Sequence, residues 1–251
     1  MIIRKSAKDI DRMARAGDML ASTHDMLAPH VQPGVTTGEL DRIAEEFIRS
    51  HGGVPTFKGY NGFPATLCTS PNNMVVHGIP GDYELQDGDL ISIDCGVTLN
   101  GWIADSARSY IVGGAGNVEG QRLIDVAYAS LDAGIAACEA GNHVGDIGFA
   151  VQAVVEQAGF GVIRKLVGHG VGRNMHEEPQ VPNYGVRGTG PELVPGYVIA
   201  IEPMITASGE VDIVEDDHDG WSIYSADGSL TAHVEHTIAI TDDGPRILTR
   251  G

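Results

Sequence analysis

The run LISIDCGVTLNGWIADSARSY, from Leu90 to Tyr110, has two apolar segments around Asn100-Gly101. Asn-Gly is the strongest short hairpin signal, because both central residues of a type I′ turn need positive φ. With that pair as the loop, Leu99 faces Trp102, and counting back sets Asp94 opposite Ala107. Side chains alternate faces with period two, so Asp94 and Asp105 share a face as diagonal neighbours roughly 7–8 Å apart at the backbone. Two unpaired buried carboxylates are costly. They share a proton, or a cation sits between them. Two metal ions about 3.5–4 Å apart would fit that gap. The other reading is an exposed edge strand with both aspartates solvated, and the hairpin alone leaves both open.

The whole chain bounds the answer. Its 251 residues suffice for one large domain or two small ones, and 42% hydrophobic residues is ordinary for a globular protein. No apolar run approaches the ~18 residues of a membrane span, and the charged start MIIRKSAKDIDRMARAG lacks a signal-peptide core. Cys68, Cys95 and Cys138 are an odd count without a spacing pattern, which suggests reduced thiols in a cytoplasmic protein. The net charge of −18 argues against nucleic-acid or anionic-membrane binding and suits a protein that holds cations. DIVEDDHDG (Asp212 to Gly220) reads as an acidic exposed loop, and Arg4-Lys5 and Arg164-Lys165 as small basic surface spots.

Helical spacing of Ile10, Met13, Met19, Leu20 and Met26 predicts a helix from near Ser6 to about Leu27. Thr36 with Glu39 predicts a capping box for a second helix ending at Gly52-Gly53. Strands are expected over Ala65–Thr69 and Met74–His77, before the hairpin. The second half repeats the order. Helices are expected over about Val118–Ala140 and Asp146–Ala158, then strands around Gly161–Val167, Tyr197–Glu202, Trp221–Tyr224 and Leu230–Ile240. VVHGIP (Val75 to Pro80) and LVGHGVG (Leu166 to Gly172) each carry His-Gly after the second helix of their half. GDLISID (Gly88 to Asp94) aligns without a gap to GYVIAIE (Gly196 to Glu202), so Asp94 matches Glu202, and Asp105 has its counterpart in Glu235. A duplicated α+β unit would bring these acids together about a pseudo-twofold axis.

The polar residues that interrupt apolar strands are then Asp94, Asp105, Glu202 and Glu235, with His169 in a glycine-rich turn. Four carboxylates balance two divalent cations, which makes burial feasible. Oxygen donors with one imidazole and no thiolate suit divalent manganese, iron, cobalt or zinc. Such ions acidify bound water towards a pKa of ~7.

With VVHGIP, SIDCG, WIADSAR, GHGVG, MHEEPQVPNYG, IEPM and EHT in this order, the chain resembles the type I methionine aminopeptidases of the bacterial kind, over essentially its whole length. The resemblance implies a pita-bread α+β fold, with pseudo-twofold halves (about 1–115 and 116–251) around an antiparallel sheet in one catalytic domain. It implies two divalent ions (cobalt, manganese, iron, zinc or nickel) held by Asp94, Asp105, His169, Glu202 and Glu235, with Asp105 and Glu235 bridging. It makes His77, His176 and Glu202 catalytic. It lines a methionine pocket with Tyr60, Phe63, Cys68, His77 and Trp221, contacted by His176, with Met175 near the rim. Phe57 and Met175 depart from the family pattern, which bears on pocket shape and not on the reaction. The implied function is removal of initiator methionine before a small second residue, by activated-water attack on the first peptide bond. The implied setting is a cytoplasmic monomer that meets nascent N-termini, with transient ribosome contact. The alternatives are a proline-specific aminopeptidase or dipeptidase of the same fold, and a binding module without catalysis.

Overall fold

Local signals set the element ends in a computed structural model of the chain, which describes residues 1–114 and 116–250. The expected boundary at residue 115, and residue 251, lie outside the described residues. The helices are α1 (Ala7–Leu27), α2 (Thr37–Ser50), α3 (Val118–Ala136) and α4 (Val144–Gln157). The strands of the first half are β1 (Val54–Pro55), β2 (Leu67–Pro71), β3 (Met74–Val76), β4 (Leu90–Leu99) and β5 (Trp102–Ile111). Those of the second are β6 (Gly161–Val162), β7 (Gly168–Gly170), β8 (Glu177–Val181), β9 (Val198–Ile201), β10 (Met204–Thr206), β11 (Ile213–Glu215), β12 (Ile223–Ser225), β13 (Thr231–His233), β14 (His236–Thr241) and β15 (Gly244–Ile247).

Ser6 caps α1 in a reciprocal box with Asp9. Thr36 caps α2 by accepting from the Glu39 amide, but the expected box is only half made, because the Glu39 carboxylate pairs with Arg42 instead. Helix α3 stops at Ala136, short of Gly141, whose amide turns away to the Leu193 carbonyl. Helix α4 starts two residues earlier than expected: Asp146 sits inside its first turn and accepts from the His143 amide.

The hairpin β4–β5 has the expected register, with Leu99 opposite Trp102 and Asp94 opposite Ala107. Asn100 (φ 53°) and Gly101 (φ 76°) both take the left-handed conformation that the turn demands. One face of β4, Ile91, Ile93, Cys95 and Val97, is fully buried against α1 and α2. Each of the larger side chains there is worth about 1.5–3 kcal/mol of burial. That face anchors the strand, so the opposite face, which carries Asp94, is free to hold polar groups. A second core packs α3 and α4 on β9 and β14 through Leu131, Val151, Ile199 and Ile238. Helix pair and antiparallel strand pair thus occur twice, as the duplication predicts.

Every strand pairing is antiparallel. Among the described residues the strands form four hydrogen-bonded sets: β4 with β1, β2 and β5; β15-β14-β9-β7-β8; β13-β10-β6; and β11-β12-β3. The strand expected over Leu230–Ile240 is broken at Val234-Glu235. The Glu235 amide leaves its own sheet to donate to the Ala107 carbonyl of β5 at 3.0 Å. Thr237 makes the second link, accepting from the Asp105 amide (3.0 Å) and donating to the Asp105 carbonyl (2.8 Å). These bonds stitch the acidic strand of one half to that of the other. The Asp212–Gly220 segment is a surface hairpin arm, with β11 largely exposed and paired to β12. Cys68, Cys95 and Cys138 are buried and unpaired. Among the described residues, no helix is long and apolar enough to cross a membrane.

Candidate metal centre

The five expected metal-facing residues converge at the seam between the halves, on one cavity of about 400 Å³. Asp105, His169 and Glu235 bring one ligand atom each within 4.8 Å of one another. Glu202, His233 and Glu235 do the same, so Glu235 belongs to both groups. Asp94 is in neither trio. It lines the same cavity, where burial first and then the neighbouring Asp105 raise its pKa. The Asp94 and Asp105 pair is diagonal, as the hairpin register requires, with Gly96 opposite Asp105. In the second half the ladder ends at Ile201 opposite His236, and Glu202 and Glu235 are the next residues beyond it on the two chains.

Two tests of fit favour divalent cations. Asp94 Oδ1, Asp105 Oδ1, Glu235 Oε1 and His233 Nε2 are buried without a hydrogen-bond partner among the described residues. Buried polar atoms are normally paired, and these four all belong to residues that line the one cavity, which points to a shared ligand. The imidazole–carboxylate separations are also telling. His169 Nε2 lies 3.7 Å from Asp105 Oδ2 and 3.5 Å from Glu202 Oε1. His233 Nε2 lies 3.8 Å from Glu202 Oε2 and 3.9 Å from Glu235 Oε2. All exceed the ~2.7–3.2 Å of a normal hydrogen bond. Donors each ~2.1 Å from a common ion stand about 3–4.2 Å apart.

Electrostatics agree. Burial, reinforced by neighbouring carboxylates, raises Asp94 and Glu235 well above the ordinary range. Burial also raises Asp105, against the pull of His169. Burial pushes Glu202 up to about 8, although His169 opposes it. Without cations these acids resist ionising together; with them, four negative charges are balanced. Burial alone would depress His169, but Asp105 and Glu202 outweigh it and lift the imidazole to about 9. Its Nδ1 donates to the Gly170 carbonyl at 2.9 Å, which leaves Nε2 for the carboxylate side.

The expected pocket residues Tyr60, Phe63, Cys68, His77, His176 and Trp221 all line this cavity, together with Phe57 and Met175. Phe63 and Trp221 meet edge to face at 5.1 Å, and His77 stands edge-on to Trp221 at 6.5 Å. His77 has φ 61°, while the other non-glycine residues with positive φ are asparagines. Such strain in a histidine marks a position fixed for something other than stability. Burial keeps it neutral by lowering its pKa. The two His-Gly pairs match in one respect. A Cβ on Gly78 would strike the Thr69 carbonyl, and one on Gly170 the Glu178 carbonyl. They differ in another, since His169 lies in strand β7 and His77 takes a positive φ just after β3.

His176 packs on the His169 ring at 4.3 Å, and its Nδ1 lies 2.8 Å from the Tyr60 hydroxyl. Burial, with His169 and His77 nearby, pulls it down to about 4. Its loop is held by Glu177, which accepts from the Arg173 and Asn174 amides and pairs with Lys5 at 2.8 Å. Lys5 is therefore no basic surface spot: it is buried, a cation that fixes the site from the other end of the chain. Lys165 is exposed, as its reading as surface expects, and also lines the cavity. Sequence reading missed His233 as well, because one histidine among the apolar residues of TAHVEHTIAI reads as core.

Comparison with known proteins agrees with this geometry. The family model for metallopeptidase family M24 matches residues 11–242. The methionine aminopeptidase of Clostridium perfringens is 51% identical over 252 residues, 99% of each chain. Methionine aminopeptidase 1 of Bacillus subtilis is 47% identical over 250 residues, covering both chains in full. The crystal structure of methionine aminopeptidase from Rickettsia prowazekii superposes with a TM-score of 0.97 at 42% identity, over 99% of this chain and 100% of that one. The chain belongs to metallopeptidase family M24, within its methionine aminopeptidase group.

Proposed function

We infer that the chain is a metallo-aminopeptidase that removes N-terminal methionine from peptides and nascent proteins, with residues 1–251 acting as one catalytic unit. The observation that carries this reading is a single cavity lined both by thioether-compatible groups and by the buried carboxylate cluster. Phe63, Cys68 and Trp221 offer polarizable and aromatic contact to an unbranched sulfur side chain. A cavity of about 400 Å³ is of small-ligand size and suits the N-terminal end of a peptide.

Asp94, Asp105, His169, Glu202 and Glu235 would hold two divalent ions, which supply Lewis acidity and lower the pKa of a water molecule. Glu202, at the cavity wall, accepts the proton that the attacking water loses and passes it towards the leaving nitrogen. His176 is neutral, and with the Tyr60 hydroxyl donating into Nδ1 its Nε2–H faces outward to the substrate. There it donates to the carbonyl oxygen as negative charge develops. His77, neutral and conformationally fixed, donates at the tetrahedral carbon's nitrogen side. The −18 charge speaks for cation-holding and against nucleic-acid binding. The setting is a cytoplasmic monomer that meets new chains transiently at the ribosome.

Hydrolysis of Met-Ala-Ser and of Ala-Pro peptides tests the reading. The chelated protein should be inactive. Cobalt, manganese, iron, zinc or nickel, added one at a time, should identify the ions that restore Met-Ala-Ser cleavage. Faster turnover of the Ala-Pro peptide, or full activity after chelation, would overturn it. His77→Ala should lower kcat about 10²–10⁴-fold. Metal affinity should change little, because His77 belongs to neither ligand trio. Parallel calorimetric titration of the variant with one ion checks that separation.

A further inference from the structure

His233 closes β13 and is 2% exposed. Its backbone is clamped by the β4–β5 hairpin: its amide donates to Ser92 Oγ (3.1 Å) and its carbonyl accepts from Ser109 Oγ (2.8 Å). The side chain is thereby directed at the carboxylate cluster, and Nε2 has no hydrogen-bond partner although it is buried. A partnerless buried nitrogen is uncommon, and this one faces two carboxylates across the cavity. A histidine that oriented Glu202 by donating to it would stand within ~3.2 Å, and the distance here is 3.8 Å.

The arrangement around Glu202 is two-sided. Its Oε1 faces His169 Nε2 at 3.5 Å, and its Oε2 faces His233 Nε2 at 3.8 Å. His233 is then 3.9 Å from Glu235 Oε2, the carboxylate common to both ligand trios. These spans match donors that share an ion and do not match hydrogen bonds. We propose that His233 is a sixth donor to the centre, its Nε2 giving a second imidazole to the ion shared by Glu202 and Glu235. The proposal rests on the metallo-aminopeptidase reading and changes its donor set from one imidazole to two. A second imidazole moves the site away from the all-oxygen chemistry of magnesium and calcium and towards the later divalent metals.

The test counts nitrogens on the bound ion. The metal-free full chain is loaded with one equivalent of Mn(II), and electron spin-echo envelope modulation reports the coupled imidazoles. Two are expected in the wild-type protein, and one in each of His233→Gln and His169→Gln. Calorimetry should also show Mn(II) binding at least ~10-fold weaker in His233→Gln. One coupled nitrogen or none in the wild-type protein overturns the proposal without recourse to any variant. So does a count unchanged by His233→Gln, even with weaker affinity, since His233 would then only position Glu202. A wild-type chain that binds no Mn(II), cobalt, zinc or iron overturns the metal reading itself, which separates the two failures.

Discussion

Asp105→Ala is expected to cut turnover by about 10⁴-fold while the chain stays folded. Asp105 lies in the ligand trio with His169 and Glu235 and borders Asp94, so its loss opens the centre on both sides. Forfeiting ~5 kcal/mol of metal-assisted stabilisation corresponds to that factor, at 1.36 kcal/mol per decade. The fold should survive because the bonds that hold β5 to Thr237 come from the Asp105 backbone, which alanine retains. Burial already disfavours the charged carboxyl, and its removal relieves Asp94, Glu202 and Glu235 of a like charge. The metal-free variant should therefore melt close to the metal-free wild-type temperature, because relief of like charge offsets the loss of the partner of His169. It should lose most of the rise in Tm that divalent ions give the wild-type chain. Near-normal hydrolysis, or a metal-free variant that melts well below wild type, would refute the assignment.

The acidic centre could be read from residues because its strongest determinants are local. Asn100-Gly101 fixes the hairpin register, and the register alone puts Asp94 and Asp105 on one face. Ser6 and Thr36 announce their helices by side-chain caps made within three residues. What the sequence concealed depends on distant partners. The break at Val234-Glu235 exists because Glu235 bonds to Ala107, on a strand of the other half. Lys5 reads as a surface cation until Glu177, 172 residues away, is seen to bury it. His233 reads as core until Glu202 and Glu235 are brought around it. Gly161–Val167 reads as one strand, but only Gly161 and Val162 pair with β10, and the next strand begins at Gly168. Internal duplication was the one long-range relation visible in the residues, since it repeats a local pattern.

Metal-free protein should lose stability as pH rises from 6.5 to 9, and metal-loaded protein should lose much less. Glu202 has its folded pKa raised to about 8, against ~4.3 in an unfolded chain, chiefly by burial. His169 is raised to about 9, against ~6.5, because Asp105 and Glu202 outweigh its own desolvation. In both cases the folded state holds a proton that the unfolded state has released. Stability then falls with pH, from about 4 to 8 for Glu202 and from about 6.5 to 9 for His169. The buried, neutral His24 and His233 act in the opposite sense. Each is pulled by burial to about 3, so each adds stability as pH climbs from 3 to 6.5 and nothing above that. Between pH 6.5 and about 8 the cluster acts alone; above that the buried thiols of Cys68, Cys95 and Cys138, also raised by burial, add a loss of the same sign. One retained proton changes stability by roughly 1.4 kcal/mol per pH unit, and a chain of this size shifts by about 2–4 °C per kcal/mol. A drop in Tm of roughly 10–20 °C is therefore expected for the chelated protein. Bound cations need ionised carboxylates and neutral imidazoles, so loading must also expel these protons. Calorimetric titration in two buffers of different ionisation enthalpy should show that release, increasing as pH is lowered from 9 to 7. A chelated protein whose Tm is flat or rising across the window, or metal binding with no proton release at pH 7, would mean that the four acids are already ionised and solvated, and the charge-balance argument for a buried dinuclear centre would fail.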